Sequence, residues 1–197
     1  MFRESSIPNM LTILRIVLTP VFLYLLWLNT PGSYLGAFFV FLVASLSDYA
    51  DGKIARKYGY SSEFGKYMDP LADKVLISST FIAFGLMGFA PWWMIAVVLV
   101  RDIVITAFRS YVSRQGKSMA TSGIAKVKTT IQMIFIYTVL VFLMVENLNF
   151  LSLLQPIGQW FFENQGFWIL MLITTALTFY TGLLYFFENK HVFMRSE

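Results

Sequence analysis

The chain has 197 residues, of which 57% are hydrophobic, 18% aromatic and only 13% charged, and its mean hydropathy is +0.66. Soluble domains are rarely so apolar, and the composition therefore indicates a protein of the lipid bilayer. Cysteine is absent and His191 is the single histidine, which excludes disulfides, thiolate catalysis and metal sites built from cysteine or histidine clusters. The net charge of +4 would suit nucleic acid, but the positions of the basic residues favour a membrane topology signal and no nucleic-acid partner.

The predicted elements are six membrane-spanning helices, since each needs roughly 20 mostly apolar residues and six of them fill the chain. The expected fold is an all-α polytopic membrane protein with a single domain, 1–197, in which 1–10 form a cytoplasmic or interfacial segment and 188–197 a cytoplasmic tail. Arg15 interrupts the first apolar run, which no small-residue cleavage site follows, and this favours a retained span over a secretory signal. The spans are predicted at residues 11–28, 33–55, 70–88, 91–113, 126–147 and 166–187.

Basic residues lie in, or just beside, the joints on one side of the predicted membrane. They are Arg3, Arg56, Lys57, Lys66, Arg114, Lys117, Lys190 and Arg195. The opposite joints, 29–32, 88–91 and 146–166, contain no lysine or arginine. The positive-inside rule therefore places both termini on the cytoplasmic side of the inner (cytoplasmic) membrane. The long apolar joint 149–166 is predicted to lie in the outer interface.

Four aspartates lie near the cytoplasmic ends of the second and third predicted spans. They are Asp48, Asp51, Asp69 and Asp73. Ionisable residues inside apolar spans are costly, so a group of them indicates a functional site. At about 100° per residue, the first two share one helix face and the last two share another. Gly52, Ala55 and Gly65 lie close to these faces and would let a ligand approach the helices closely.

Converging carboxylates repel one another unless cations lie between them, and carboxylate oxygens suit hard cations such as Mg²⁺ or Mn²⁺. Two such ions could clamp a pyrophosphate during in-line attack at phosphorus, with one carboxylate as general base. A plainer interpretation is that the aspartates are solvated helix ends paired with nearby lysines and arginines. A divalent-cation transporter is a distant alternative, because its path would need polar residues that continue across the membrane.

The pattern D-x-x-D-G-x-x-A-R-x8-G-x3-D-x3-D, from Asp48 to Asp73, resembles the signature of the CDP-alcohol phosphotransferases. The resemblance implies six transmembrane helices, a homodimer, and a two-metal site for Mg²⁺ or Mn²⁺. It also implies that all four aspartates bind metal and that Asp73 is the general base. The residues implied in the CDP pocket are Thr12, Gly52, Ala55, Arg56 and Gly65.

Weaker matches between residue 7 and about residue 130 resemble the bacterial phosphatidylglycerophosphate synthases within that family. They are P-N-x-L-T-x-x-R ending at Arg15, D-P-L-A-D-K ending at Lys74, and the region from Arg101 to Thr129, where Ala125 stands in place of a frequent glycine. The implied reaction moves the phosphatidyl group of CDP-diacylglycerol to glycerol 3-phosphate and releases CMP. A cardiolipin synthase of the same family, or an enzyme that uses an inositol phosphate, is the alternative.

Glycerol 3-phosphate carries a dianionic head, which requires fixed cations in an otherwise apolar cavity. The candidates are Arg101, Arg109, Lys126 and Lys128. Arg101 lies well inside the fourth predicted span, where an unpaired guanidinium is expensive, so an aspartate or a phosphate is expected beside it. Arg109 and Lys126 could instead anchor their helices at the membrane surface.

Overall fold

The structure, a computed structural model, describes residues 6–58, 63–114 and 124–188. Within these ranges, side chains are described for residues 12–47, 71–109, 112 and 127–188. All the regular elements in the described ranges are helices, which confirms the predicted all-α class. They are α1 (Ser6–Leu28), α2 (Pro31–Tyr58), α3 (Glu63–Leu86), α4 (Trp92–Arg114), α5 (Ile124–Asn147), a 3₁₀ helix (Asn149–Leu154), α6 (Gln155–Glu163) and α7 (Gly166–Glu188).

The long helices α1 to α5 and α7 correspond to the six predicted spans. Among the described residues, two helical stretches are long and apolar enough to cross a membrane, Val127–Asn147 and Gly166–Glu188. Two shorter apolar stretches, Thr12–Leu28 and Pro31–Ser47, lie in α1 and α2. The structure thus supports a membrane protein, while the number of six spans stays a prediction. The joint 149–166 forms the 3₁₀ helix and α6, neither of which has a buried residue.

The chain divides into two compact units, the first of which comprises Met1–Ala83 and Leu140–Gly158. Here α1 packs against α2 through the buried rings of Phe22 and Phe41, whose centroids lie 5.3 Å apart. The joint between these helices is capped reciprocally, because the amide of Thr30 donates to the hydroxyl of Ser33 and the amide of Ser33 donates to the hydroxyl of Thr30. Pro31 follows in the first helical position, where its missing amide hydrogen costs nothing.

The second unit comprises Phe84–Val139 and Gln159–Glu197. In this unit α4 packs against α7, and aromatic rings form much of the core. The ring of Phe84 makes edge contacts with those of Phe89 and Phe135, and Phe89 contacts Phe167. The bend between α3 and α4 contains Gly88, whose φ of 84° lies in the left-handed region that glycine adopts at little cost.

Buried hydroxyls in the helices mostly bond to their own backbone. Thr80 donates to the carbonyl of Leu76 at 2.7 Å, and Thr175 donates to that of Met171 at 2.8 Å. Thr19 and Thr174 make the same bond to the residue four positions earlier. These bonds let an apolar helix carry buried polar atoms without an unsatisfied donor.

Candidate active site

The aspartate segment, residues 48–73, extends from the last third of α2 to the first half of α3 in the first unit. The backbone is helical at all four aspartates, which is the condition under which Asp48 and Asp51 share a face and Asp69 and Asp73 share another. Asp73 is partly buried in α3. The side chains of the other three lie outside the described residues, as do those of Gly52, Ala55, Arg56 and Gly65.

The types of side chain in the aspartate segment indicate which metal ions it could bind. Four carboxylates without cysteine or histidine suit a hard divalent cation, so the residues present fit Mg²⁺ or Mn²⁺. The described side chains contain no group of three or more acids or histidines able to hold a metal, and they include only Asp73 of the four. The two-metal site therefore stays a prediction.

Thr12, predicted in the CDP pocket, is completely buried in α1. One turn later Arg15 is also completely buried, although it is the largest polar side chain in this apolar helix. Burying a guanidinium requires compensating polar contacts, so its position marks the start of α1 as a polar part of the first unit. The sequence had identified Arg15 only by its place in the opening motif and by its interruption of the apolar run.

The cationic cluster, which we define as Arg101, Asp102, Lys128, Gln132 and Thr181, lies in the second unit. Its centre is the carboxylate of Asp102, which accepts a bond from the Lys128 ammonium at 2.5 Å and one from the Gln132 amide at 3.2 Å. The Arg101 guanidinium donates to the other carboxylate oxygen at 3.3 Å. One acid on α4 thus holds a cation from its own helix and another from α5.

The far side of Arg101 lies against α7. Its Nη2 donates to the hydroxyl of Thr181 at 3.2 Å. The next residue, Gly182, is so close that an added Cβ would lie 3.1 Å from Arg101 Cγ and 3.3 Å from its Nε. The guanidinium is therefore held between a carboxylate on α4 and a hydroxyl on α7.

The charged members of the cluster are largely buried. Two cations surround one carboxylate, and the side chains of Arg101, Asp102 and Lys128 are only 14%, 11% and 12% exposed. Two buried polar atoms of the cluster, Arg101 Nε and Gln132 Oε1, have no hydrogen-bond partner among the described residues. Two largely buried cations beside one acid, together with the unpartnered N–H of Arg101 Nε, suit an anion-binding site.

The structure brings together two of the four residues predicted to bind the acceptor phosphate. Arg101 and Lys128 are brought together, and the aspartate partner expected for Arg101 is Asp102. Arg109 is exposed further along α4 and does not belong to the cluster. The side chain of Lys126 lies outside the described residues.

Three members of this region were not predicted as site residues, namely Gln132, Thr181 and Gly182. Gln132 had a detectable signal, because it is a polar residue inside an apolar span, one helical turn after Lys128. Thr181 had none, since threonines occur throughout α7 and only the fold distinguishes the one that contacts Arg101.

The family model described as CDP-alcohol phosphatidyltransferase matches residues 5–180. The chain belongs to the CDP-alcohol phosphatidyltransferase family. This membership confirms the resemblance drawn from the aspartate pattern, and it confirms an enzyme, a transferase, rather than a cation transporter.

Three similar proteins come from bacteria. The chain is 30% identical over 196 residues to the CDP-diacylglycerol--glycerol-3-phosphate 3-phosphatidyltransferase of Bacillus subtilis (strain 168), over 93% of this chain and 95% of the relative. It is 38% identical over 138 residues to the protein of the same name in Escherichia coli (strain K12), over 66% of this chain and 74% of the relative. It is also 38% identical over 137 residues to a probable phosphatidylglycerophosphate synthase of Mycobacterium tuberculosis (strain ATCC 25618 / H37Rv), over 68% of this chain and 65% of the relative. The match thus spans slightly under two thirds of the mycobacterial relative and nearly all of the Bacillus one.

Proposed function

We propose that this protein transfers the phosphatidyl group of CDP-diacylglycerol to glycerol 3-phosphate, giving phosphatidylglycerophosphate and CMP in phospholipid biosynthesis. The names of the relatives support this reaction. The structural observation that carries the choice of acceptor is the buried pair of cations, Arg101 and Lys128, held by Asp102.

In this proposal, the aspartate segment binds the donor substrate, CDP-diacylglycerol. Asp48, Asp51, Asp69 and Asp73 would hold two Mg²⁺ or Mn²⁺ ions, which when bound neutralise the pyrophosphate and stabilise the departing phosphate. The CDP moiety would be recognised by Thr12, Gly52, Ala55, Arg56 and Gly65. Asp73 accepts the proton of the acceptor hydroxyl, whose oxygen forms a new bond to the phosphatidyl phosphorus. The bond from that phosphorus to CMP breaks, and CMP leaves.

In this proposal, the cationic cluster binds the phosphate of the acceptor substrate, glycerol 3-phosphate. A phosphate monoester carries up to two negative charges, and charge-assisted bonds from a guanidinium and an ammonium are the strongest that side chains offer it. Arg101 and Lys128 lie on the same acid, so both could reach a phosphate bound beside it, and Arg101 Nε has an N–H to donate. Arg109 would add positive charge with a weaker effect, because it is exposed and solvent screens it, and Lys126 would add a further cation.

A cardiolipin synthase of the same family is the second candidate. Its acceptor, phosphatidylglycerol, presents a phosphodiester with one negative charge. Two buried cations and a free N–H suit a monoester better than a diester, which favours glycerol 3-phosphate. An inositol phosphate also has a monoester head, so only a direct measurement separates it.

We place the protein in the inner (cytoplasmic) membrane as a homodimer with six spans, with both termini and the active site facing the cytoplasm. The apolar stretches of α5 and α7 and the one-sided distribution of lysine and arginine support this topology. Membrane lipids would then surround the exposed apolar side chains of the helices.

The deciding experiment measures CMP release from CDP-diacylglycerol by the purified full chain in detergent with Mg²⁺ or Mn²⁺. Glycerol 3-phosphate, phosphatidylglycerol and an inositol phosphate are each offered as the sole acceptor. We expect release with glycerol 3-phosphate alone, and the lipid product should carry a terminal phosphate. Release with phosphatidylglycerol and none with glycerol 3-phosphate would replace this proposal with the cardiolipin synthase.

A further inference from the structure

The last helix, α7, contributes two residues to the surroundings of Arg101 that neither the aspartate motif nor the acceptor motif includes. Thr181 is 5% exposed and accepts the bond from Arg101 Nη2. Gly182 lies directly against the aliphatic part and the Nε of the same side chain. Both contacts run between α4 and α7, and Arg101 and Thr181 are 80 positions apart in the sequence.

The hydroxyl of Thr181 has a fixed orientation. Its hydrogen is donated to the carbonyl of Thr178 at 3.0 Å, so the oxygen faces Arg101 only as an acceptor. The guanidinium group of Arg101 cannot rotate without breaking its hydrogen bond to this oxygen. The opposite nitrogen is fixed in the same way by Asp102, so the plane of the guanidinium is held at two points.

Gly182 determines how closely Arg101 can lie to α7. A Cβ at residue 182 would lie 3.1 Å from Arg101 Cγ and 3.3 Å from its Nε, which is tighter than most Cβ contacts in proteins. A side chain here would therefore push Arg101 away by a few tenths of an ångström. The Nε that this glycine accommodates is buried and has no partner among the residues whose side chains are described. Glycine therefore allows the position in which this N–H remains available to a ligand.

We infer that Thr181 and Gly182 are positioning residues, which orient the Arg101 guanidinium toward the phosphate of the acceptor. This inference rests on the proposed function for the identity of the acceptor. Neither residue touches the reacting atoms, so both act on acceptor binding and not on the chemical step.

The experiment compares steady-state kinetics of CMP release for the full chain and for the variants Thr181→Val, Thr181→Ser and Gly182→Ala. Thr181→Val keeps the shape but removes the acceptor, and we expect the KM for glycerol 3-phosphate to rise roughly tenfold, as for a lost bond to a charged group. The kcat and the KM for CDP-diacylglycerol should stay within about twofold. Thr181→Ser should restore the original KM, and Gly182→Ala should raise it about threefold.

Two controls separate positioning from general effects of substitution. Thr175 is also 5% exposed on α7 and donates only to its own backbone, so Thr175→Val should leave the acceptor KM unchanged. Gly32 lies in α2 with nothing within 4 Å of an added Cβ, so Gly32→Ala should also leave it unchanged.

A double-mutant cycle tests whether Thr181 acts through Arg101. In an Arg101→Gln background, Thr181→Val should change the KM for glycerol 3-phosphate by less than about twofold, because its partner is already gone. Full additivity, or an equal rise in KM for Thr175→Val, would overturn the inference. If the parent chain uses a different phosphate-bearing acceptor, the proposed function fails and the same cycle with that acceptor decides the positioning role. No turnover with any such acceptor would overturn both.

Discussion

The aspartate segment and the cationic cluster solve the same problem, charge inside an apolar protein, in opposite ways. The aspartate segment concentrates acids within residues 48–73, and the side chains expected to converge all carry the same sign. The cationic cluster combines both signs, with Asp102 between Arg101 and Lys128. In the proposed arrangement the four aspartates need an added cation between them, whereas the cationic cluster is largely held together by its own hydrogen bonds.

The two regions should therefore differ in how strongly a bound ligand changes their stability. A metal bound to the aspartates would remove mutual repulsion, so binding and local stability should be strongly coupled there. In the cluster, Asp102 already contacts both cations, so the loss of a bound anion should be tolerated better there. The following variants test that contrast, from the largest expected effect to the smallest.

Asp73→Asn should reduce CMP release by about 10²- to 10⁴-fold, because it removes the proposed general base and one metal ligand. CDP-diacylglycerol binding should survive in part, which equilibrium binding to the purified variant can measure. Asp48→Asn is the matched control within the segment, and it should mainly raise the metal concentration needed for activity. Near-normal turnover by Asp73→Asn would show that another group takes the proton.

Asp102→Asn should destabilise the second unit by about 3 kcal/mol, because it removes the carboxylate that two largely buried cations contact. Thermal unfolding in detergent measures this change, with Glu163→Gln on the exposed surface of α6 as the control. Added inorganic phosphate should stabilise Asp102→Asn more than the parent chain, since it replaces the lost charge. Equal stability of Asp102→Asn and the parent would mean that the cations do not depend on this acid.

Arg101→Lys keeps the positive charge but loses the planar fork that meets Asp102 and Thr181 together. We expect the KM for glycerol 3-phosphate to rise roughly tenfold, with the KM for CDP-diacylglycerol unchanged. Steady-state kinetics with each substrate varied in turn gives both values. An equal effect on the two substrates would argue against a role confined to the acceptor.

Arg109→Gln should raise the KM for glycerol 3-phosphate by at most about fivefold, because Arg109 is exposed and solvent weakens its field. The small effect should shrink further when salt is raised, whereas that of Arg101→Lys should persist. Kinetics at two ionic strengths distinguishes the two. A large, salt-independent effect would place Arg109 in the acceptor site beside the cluster.

The sequence predicted most of the helices because apolar runs of spanning length leave little freedom of interpretation, and the polar joints mark where they end. The aspartate pattern identified the family because its spacing is local, so helix periodicity alone relates the residues to one another. Arg101 and Lys128 were predicted from charge in an apolar setting. The contribution of α7 could not be predicted, because a contact between residues 80 positions apart depends on how α4 packs against α7.

The threonine hydroxyls of α7 that donate to the backbone of their own helix bear on how acceptor specificity can evolve. Thr174, Thr175 and Thr181 each donate their hydroxyl hydrogen to a carbonyl of α7 itself. They therefore need no acceptor on a neighbouring helix, while each hydroxyl oxygen can still accept a hydrogen bond from one. A substitution on a neighbouring helix can thus acquire a polar contact to α7 without any prior change in α7. Single substitutions on a helix that faces Thr181 can therefore change the polar contacts around Arg101.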